Sequence, residues 1–280
     1  MLNTAFIQTW IEAGVAAPML LAIRGTELLF ALSLIIQTLE YLRMGKYTAD
    51  DAFWSWPLQR ADIPNAPVRA LLDVLFQPRG HQLHLVSRLL AVFYLAVQGA
   101  SLPLIGFLFV SNLLILIRWR GAFNGGSDFM TLVVLTGLLI SQVVGALGNT
   151  QLGWQAGFWY ISIQAITSYF MSGAVKLLRR EWRNGSAMTI FLNGAIYGPL
   201  SATHPLRNTR LAMLGSWGFI MWEILFPFSL LDPRLAAVFC AVAALFHFLV
   251  FWFFGLNRFF WAWLCAFPAI IWCSAQFSGQ

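Results

Sequence analysis

Three ionisable side chains lie within long apolar stretches of this sequence: Lys176, Glu223 and His247. A charge inside hydrocarbon costs several kcal/mol, so such residues usually have a partner or a function. A desolvated lysine can act as a base, and a buried histidine can carry protons or bind a ligand. Glu223 has no basic neighbour in its own segment and needs a partner from another helix, or a proton. We take these three residues as candidate catalytic groups. The alternatives are that Lys176 extends to the membrane surface and that His247 is a neutral packing residue with one hydrogen bond.

Three further charged residues are candidates for ligand binding: Arg24, Glu27 and Asp128. Arg24 and Glu27 are three positions apart, so they share a helix face and can form an ion pair that either binds a ligand or fixes helix packing. Asp128 follows the segment Asn124-Gly125-Gly126-Ser127 at the start of an apolar run. A carboxylate there can cap the exposed N–H groups of a helix.

No metal or disulfide site is expected. Cys240, Cys265 and Cys273 all lie in apolar runs without a C-x-x-C pair. His81 and His84 form an H-x-x-H pair, which is a weak metal signal without a nearby carboxylate pattern. The sequence also contains no P-loop, nucleotide-binding glycine motif or serine hydrolase elbow.

The composition indicates a membrane protein. Of 280 residues, 59% are hydrophobic and 10% are charged, against about 45–50% and 25% in a soluble domain. A spanning helix needs about 20 mostly apolar residues because lipid offers no partners to the backbone. The chain is therefore predicted to be an all-α, polytopic transmembrane helical bundle, a single domain over residues 1–280. Eight spans are expected near residues 18–42, 85–100, 102–117, 128–148, 154–177, 211–231, 235–255 and 257–276.

The basic residues predict the orientation. The net charge of +6 is spread over short loops rather than one soluble face, so it does not indicate nucleic-acid binding. Lys and Arg concentrate in every second loop, as cytoplasmic loops require, and both termini are predicted to be non-cytoplasmic. Residues 2–13, 67–78 and 186–200 are predicted to be interfacial or, for the last, re-entrant.

Several short patterns together resemble the HTTM domain family, the bacterial membrane relatives of vitamin K-dependent γ-glutamyl carboxylase. They comprise Arg24, the segment Asn124-Gly125-Gly126-Ser127-Asp128, the run Tyr169-x-x-Ser172-Gly173-x-x-Lys176-Leu177 with Trp182-x-x-Gly185, Glu223 with Phe226-Pro227, and His247 with Gly255-x-x-x-Phe259. The resemblance spans nearly the whole chain. It implies a bacterial inner-membrane protein with a polar pocket inside the bundle.

The resemblance also implies roles. A lysine in the segment that matches Lys176 is the base that deprotonates vitamin K hydroquinone in the carboxylase, so Lys176 is the residue expected to act here. The carboxylase has an Asn-His motif where this chain reads Asn-Gly-Gly-Ser-Asp, and it carries a large luminal domain that this sequence does not show. Carboxylation of protein glutamates is therefore not expected.

Three functions stay open. The first is a membrane enzyme that modifies a lipid or a quinone-like molecule at a pocket formed by Lys176, Glu223, His247 and Arg24. The second is a non-catalytic subunit that docks a membrane or periplasmic protein partner. The third, a channel or transporter, is disfavoured because the sequence shows no charged ring and no clearly paired broken helices.

Overall fold

The regular secondary structure is helical throughout the described residues. The computed structural model describes residues 17–49, 51–52, 54–119 and 125–279. The α-helices are α1 (Ala17–Arg43), α2 (Trp56–Gln59), α3 (Ala66–Leu75), α4 (Pro78–Gln98), α5 (Leu102–Trp119), α6 (Gly125–Ala146), α7 (Thr150–Leu178), α8 (Arg180–Arg183), α9 (Ser186–Asn193), α10 (Thr209–Leu225), α11 (Pro233–Phe254), α12 (Asn257–Leu264) and α13 (Phe267–Ser278). Short 3₁₀ helices cover Gly45–Thr48, Arg60–Asp62, Pro205–Arg207 and Phe226–Leu231. The all-α prediction is confirmed.

Each predicted span coincides with a helix, and six segments are long and apolar enough to cross a membrane. These are Ala17–Arg43, Leu102–Trp119, Gly125–Ala146, Thr209–Leu231, Pro233–Phe254 and Asn257–Ser278. The remaining two predicted spans correspond to α4 and α7, which are long enough but more polar. For these two helices, membrane crossing stays a prediction.

Two of the six apolar segments are broken by a proline. Pro227 has no N–H to offer the Glu223 carbonyl, so α10 ends and a 3₁₀ helix follows. Pro268 likewise cannot bond the Leu264 carbonyl, and a turn separates α12 from α13. Both breaks lie beside residues of the site described below.

Small residues let α6 and α7 pack very closely. A Cβ atom on Gly157 would lie 2.4 Å from the Gly137 carbonyl oxygen, and one on Gly153 would lie 2.4 Å from the Ser141 carbonyl oxygen. These residues recur every four positions on each helix, which is the pattern that brings membrane helices into backbone contact. The α6–α7 pair therefore forms a rigid centre against which α10 and α13 pack.

Large apolar side chains cover the outside of the bundle, among them Leu21, Leu90, Val97, Leu147 and Val238. Exposed apolar surface on this scale is typical of a lipid-facing protein. Together with the six apolar segments, it identifies the chain as a helical membrane protein.

The predicted interfacial segments are short helices where they are described. Residues 67–78 fall in α3 and the start of α4, and residues 186–200 form α9 followed by turns. In α3, Asp73 accepts hydrogen bonds from Trp56 Nε1 (2.8 Å) and Arg60 Nε (2.6 Å). The third predicted segment, 2–13, lies outside the described residues.

Candidate functional site

One face of α7 carries three polar residues, Tyr169, Ser172 and Lys176. Their spacing of three and four positions places them one above the other on a helix. α10 packs against this part of α7 and brings Glu223 to it, and α11 contributes His247. The structure therefore brings the three predicted catalytic residues to one face of α7.

Lys176 and Glu223 form a closed ion pair inside the bundle. The Lys176 Nζ atom lies 2.6 Å from Glu223 Oε1 and 2.7 Å from Oε2. Ser172 Oγ lies 2.5 Å from the same Nζ and donates to Glu223 Oε1 at 3.1 Å. The Glu223 side chain is 2% exposed and the Lys176 side chain 16% exposed. Lys176 supplies the partner that Glu223 requires from another helix.

A glycine allows this pair to form. A Cβ atom on Gly173 would lie 2.8 Å from Glu223 Cβ and 2.9 Å from the Ile224 backbone nitrogen. Any side chain at position 173 would push α10 away from α7. Lys176 also places its ammonium 5.1 Å from the centre of the Trp182 ring, where a cation is attracted to the aromatic face.

Next along the same face, Tyr169 and His247 form a fully buried hydrogen bond. The Tyr169 hydroxyl lies 2.7 Å from His247 Nε2. The Tyr169 ring stacks on Phe226, with 4.1 Å between centroids, and the His247 ring stacks on Trp263 at 4.9 Å. Trp222 packs edge-on against Tyr169. The pair is thus enclosed by aromatic rings from three helical segments, α10, the 3₁₀ helix Phe226–Leu231 and α12.

Three buried nitrogens around this pair have no hydrogen-bond partner in the structure: His247 Nδ1, Trp222 Nε1 and Trp263 Nε1. A buried donor left unpaired costs about 1–3 kcal/mol. Such groups concentrate where a protein recognises a polar group of a ligand, or where packing outweighs the cost.

Arg24 and Glu27 form an ion pair elsewhere, at the turn between α4 and α5. Arg24 Nη1 lies 2.5 Å from Glu27 Oε2, and Arg24 Nη2 donates to the Ala96 carbonyl at 2.8 Å. Glu27 Oε1 accepts the Ala100 backbone N–H at 2.7 Å. The pair therefore joins α1 to the α4–α5 hairpin, which is the packing role that the sequence left open.

Asp128 belongs to a second buried network centred on Arg88. Arg88 is fully buried and donates to Gln37 (2.8 Å), Asn112 (3.2 Å) and Ser111 (3.1 Å). Gln37 in turn donates to Asp128 Oδ1 at 3.5 Å. α6 begins at Gly125, so Asp128 lies in its first turn, and the residue before the helix, Asn124, is outside the described part of the chain.

Sequence reasoning assigned no site role to Tyr169, Ser172 or Arg88. The regular spacing of Tyr169, Ser172 and Lys176 was a usable signal for the first two. No sequence signal indicated that Tyr169 would meet His247, because the two are 78 positions apart. Within the described residues, no group of three or more His, Cys, Asp or Glu side chains is arranged to hold a metal ion.

A cavity of about 280 Å³ lies where α9 meets the start of α10, lined by Gly185, Ser186, Thr189, Ile190, Arg207, Thr209 and Ala212. It borders the segment that holds Trp182, whose backbone carbonyl accepts a hydrogen bond from Ser216 of α10.

Comparison with known proteins adds no assignment. No protein-family model, no curated protein and no solved structure matches this chain. The function therefore has to be argued from the site itself.

Proposed function

We propose that this membrane protein binds an apolar, quinone-like lipid beside the Lys176–Glu223 pair and exchanges a proton with it. The observation that carries the proposal is the ion pair itself, in which Lys176 Nζ contacts both Glu223 oxygens within the bundle. Ionisable groups held in an apolar environment are the usual form of a site that handles protons. The resemblance to the HTTM family implies a quinone-like ligand at the same lysine, although with Lys176 rather than Glu223 as the base.

The geometry suggests a division of labour between the two groups. Lys176 is the hydrogen-bond donor to both oxygens of the pair, and the Glu223 carboxylate is the group that can accept a proton from a ligand. A hydroxyl of the ligand would give its proton to Glu223, and Lys176 would stabilise the oxyanion that remains. Tyr169 and His247 lie next to this position and would orient the ring of the ligand.

The test is mass spectrometry of small molecules that co-purify with the detergent-solubilised protein. We expect a quinone or related lipid in the wild type and its loss in Lys176→Met. The matched control is Lys46→Met, which removes an exposed lysine from the loop after α1. Equal lipid content in all three proteins would count against the site.

A second function is favoured by the closed form of the pair. The polar groups of Lys176, Ser172 and Glu223 form hydrogen bonds with one another. These bonds can equally hold α7 against α10 in a non-catalytic subunit that docks a membrane or periplasmic protein. Under this reading, partner proteins co-purify equally with the wild type and with Lys176→Met, and no specific lipid is found.

We further propose eight spans in a bacterial inner membrane, with both termini outside the cytoplasm. At 1.5 Å per residue, the 21 residues of α4 and the 29 of α7 extend about 31 and 43 Å, enough to cross the hydrocarbon. Exposed apolar side chains along both helices, such as Val97 and Ile163, support lipid contact. Cysteine labelling at Ser101 and Ser186 from either side of the membrane tests this topology: opposite accessibility is expected.

A further inference from the structure

A second cavity lies at the other polar region of the bundle, between the end of α1 and the start of α4. It has a volume of about 170 Å³ and is lined by Tyr41, Leu42, Gly45, Thr48, Pro78, His81, Gln82 and Leu85. This volume is below the roughly 300–1,000 Å³ that encloses a drug-sized ligand. The cavity therefore suits a single polar group rather than a whole lipid.

One wall of this cavity is an unpartnered histidine. His81 is 3% exposed, and neither of its ring nitrogens has a hydrogen-bond partner. A neutral imidazole carries one donor and one acceptor, and leaving both unpaired in a buried position is costly. Its ring is held in place by Phe76 and Trp119.

Next to the cavity, although not among its lining residues, lies a buried arginine with uncharged partners. Arg118 is fully buried; it donates to the Gln59 side chain at 2.9 Å and to the carbonyl of the cavity residue Thr48 at 3.5 Å. Its Nε atom has no partner, and no carboxylate of the described residues forms an ion pair with it. A buried arginine without a counter-ion is strongly unfavourable unless an anion balances it.

Two of the carboxylates in this part of the protein are engaged elsewhere. Asp73 is paired with Arg60, and Glu40 with Arg258. The cavity also borders the N-terminal end of α4, where the helix dipole favours negative charge. Three features thus favour an anion in this region: Arg118 without a paired carboxylate, the unpartnered His81 and the helix end.

We propose that this cavity binds a phosphate group, with His81 in its wall and Arg118 next to it as donors, and that it is separate from the Lys176–Glu223 pair. Guanidinium and imidazole donors match the oxygen atoms of a phosphate group. The site lies among basic loop residues such as Arg43 and Lys46, and basic pockets between helices at this level of a membrane bind anionic head groups. The phosphate can belong to a lipid head group or to the free anion.

The experiment is native mass spectrometry of the delipidated full-length protein, titrated separately with dioleoyl phosphatidic acid and with dioleoylglycerol. The two lipids differ only in the phosphate. We expect the wild type to bind phosphatidic acid at least about tenfold more tightly than dioleoylglycerol, the size of effect a charge-assisted contact gives. Competition by inorganic phosphate at millimolar concentration would identify the free anion as the source, and absence of competition would identify the lipid.

Two variants test the location. Gly45→Leu adds a bulky side chain at the wall of the cavity, where a Cβ atom meets nothing within 4 Å, and Arg118→Gln removes the charge. Each is expected to weaken binding of phosphatidic acid at least about tenfold. Matched controls are Gly106→Leu, at another glycine with open space around it, and Arg234→Gln, an exposed arginine at the start of α11. Both controls should bind as the wild type does.

Because Arg118 is buried, its variant can fail to fold, and the Gly45→Leu result then decides. Equal binding of the two lipids, or unchanged binding in Gly45→Leu, would overturn the proposal.

Discussion

Replacing Lys176 with methionine would leave the Glu223 carboxylate inside the bundle with Ser172 as its remaining hydrogen-bond donor, at 3.1 Å. Removing one partner of a buried ion pair typically costs about 3–5 kcal/mol. Glu223 is 2% exposed and cannot reach the membrane surface, although it can take up a proton. We therefore expect Lys176→Met to lower the free energy of unfolding by about 3 kcal/mol, at the low end of that range.

Removing the other partner, Glu223, should lower the free energy of unfolding by less. Glu223→Gln leaves a lysine that is 16% exposed near the end of α7, with a flexible stem that can carry its ammonium to the head groups. We expect a cost of about 1 kcal/mol. The double variant leaves no isolated charge, so it should recover about 2 kcal/mol relative to Lys176→Met alone.

The assay is unfolding by sodium dodecyl sulfate in mixed micelles at pH 7, followed by tryptophan fluorescence, with Lys46→Met as the control for loss of an exposed lysine. The reasoning is refuted if the two single variants cost the same, or if their effects simply add in the double variant. Equal costs would mean that the Lys176 ammonium cannot escape to the head groups, and additive effects would mean that the two charges do not depend on each other.

Three other contacts give sharp expectations. Tyr169→Phe should lower the free energy of unfolding by about 1–2 kcal/mol, because His247 loses its hydrogen bond; an unchanged stability would mean that the bond does not form. Gly157→Val should cost more than about 2 kcal/mol by forcing α6 and α7 apart, whereas Gly145→Ala, whose Cβ meets its nearest atom at an ordinary 3.6 Å, should have little effect. The Arg60 guanidinium holds the pKa of Asp73 below its usual range. The Asp73 contact to Trp56 is therefore expected to persist as the pH falls through the ordinary range of an aspartate and to be lost only below it. The indole N–H signal of Trp56 in nuclear magnetic resonance reports this loss, which should occur at higher pH in Arg60→Gln.

The helices could be predicted from sequence because length and composition decide them. The run predicted at 102–117, for example, became Leu102–Trp119. The breaks after Glu223 and before Phe267 were not predicted. The length and hydrophobicity of an apolar run do not change when a proline inside it removes a backbone hydrogen bond, so they do not indicate the break.

The site could be predicted in part. Glu223 has no basic neighbour in its own helix, which required a partner from another span, but the identity of that partner depends on how α7 and α10 pack. That packing rests on Gly173, whose missing side chain is informative only once the facing helix is known. Arg24 contacts Glu27 and the Ala96 carbonyl, which join α1 to the α4–α5 hairpin. Its grouping with Lys176 in one pocket stays a prediction.

The most direct test of the proposed ligand site is a titration of the purified protein with decylubiquinone, followed by quenching of tryptophan fluorescence. Trp182 lies 5.1 Å from the Lys176 ammonium, and Trp222 adjoins Glu223, so a ligand bound there would quench both. The account predicts saturable quenching in the wild type and at least about tenfold weaker binding in Lys176→Met, with Lys46→Met unchanged. Identical, non-saturable quenching in all three proteins would contradict it.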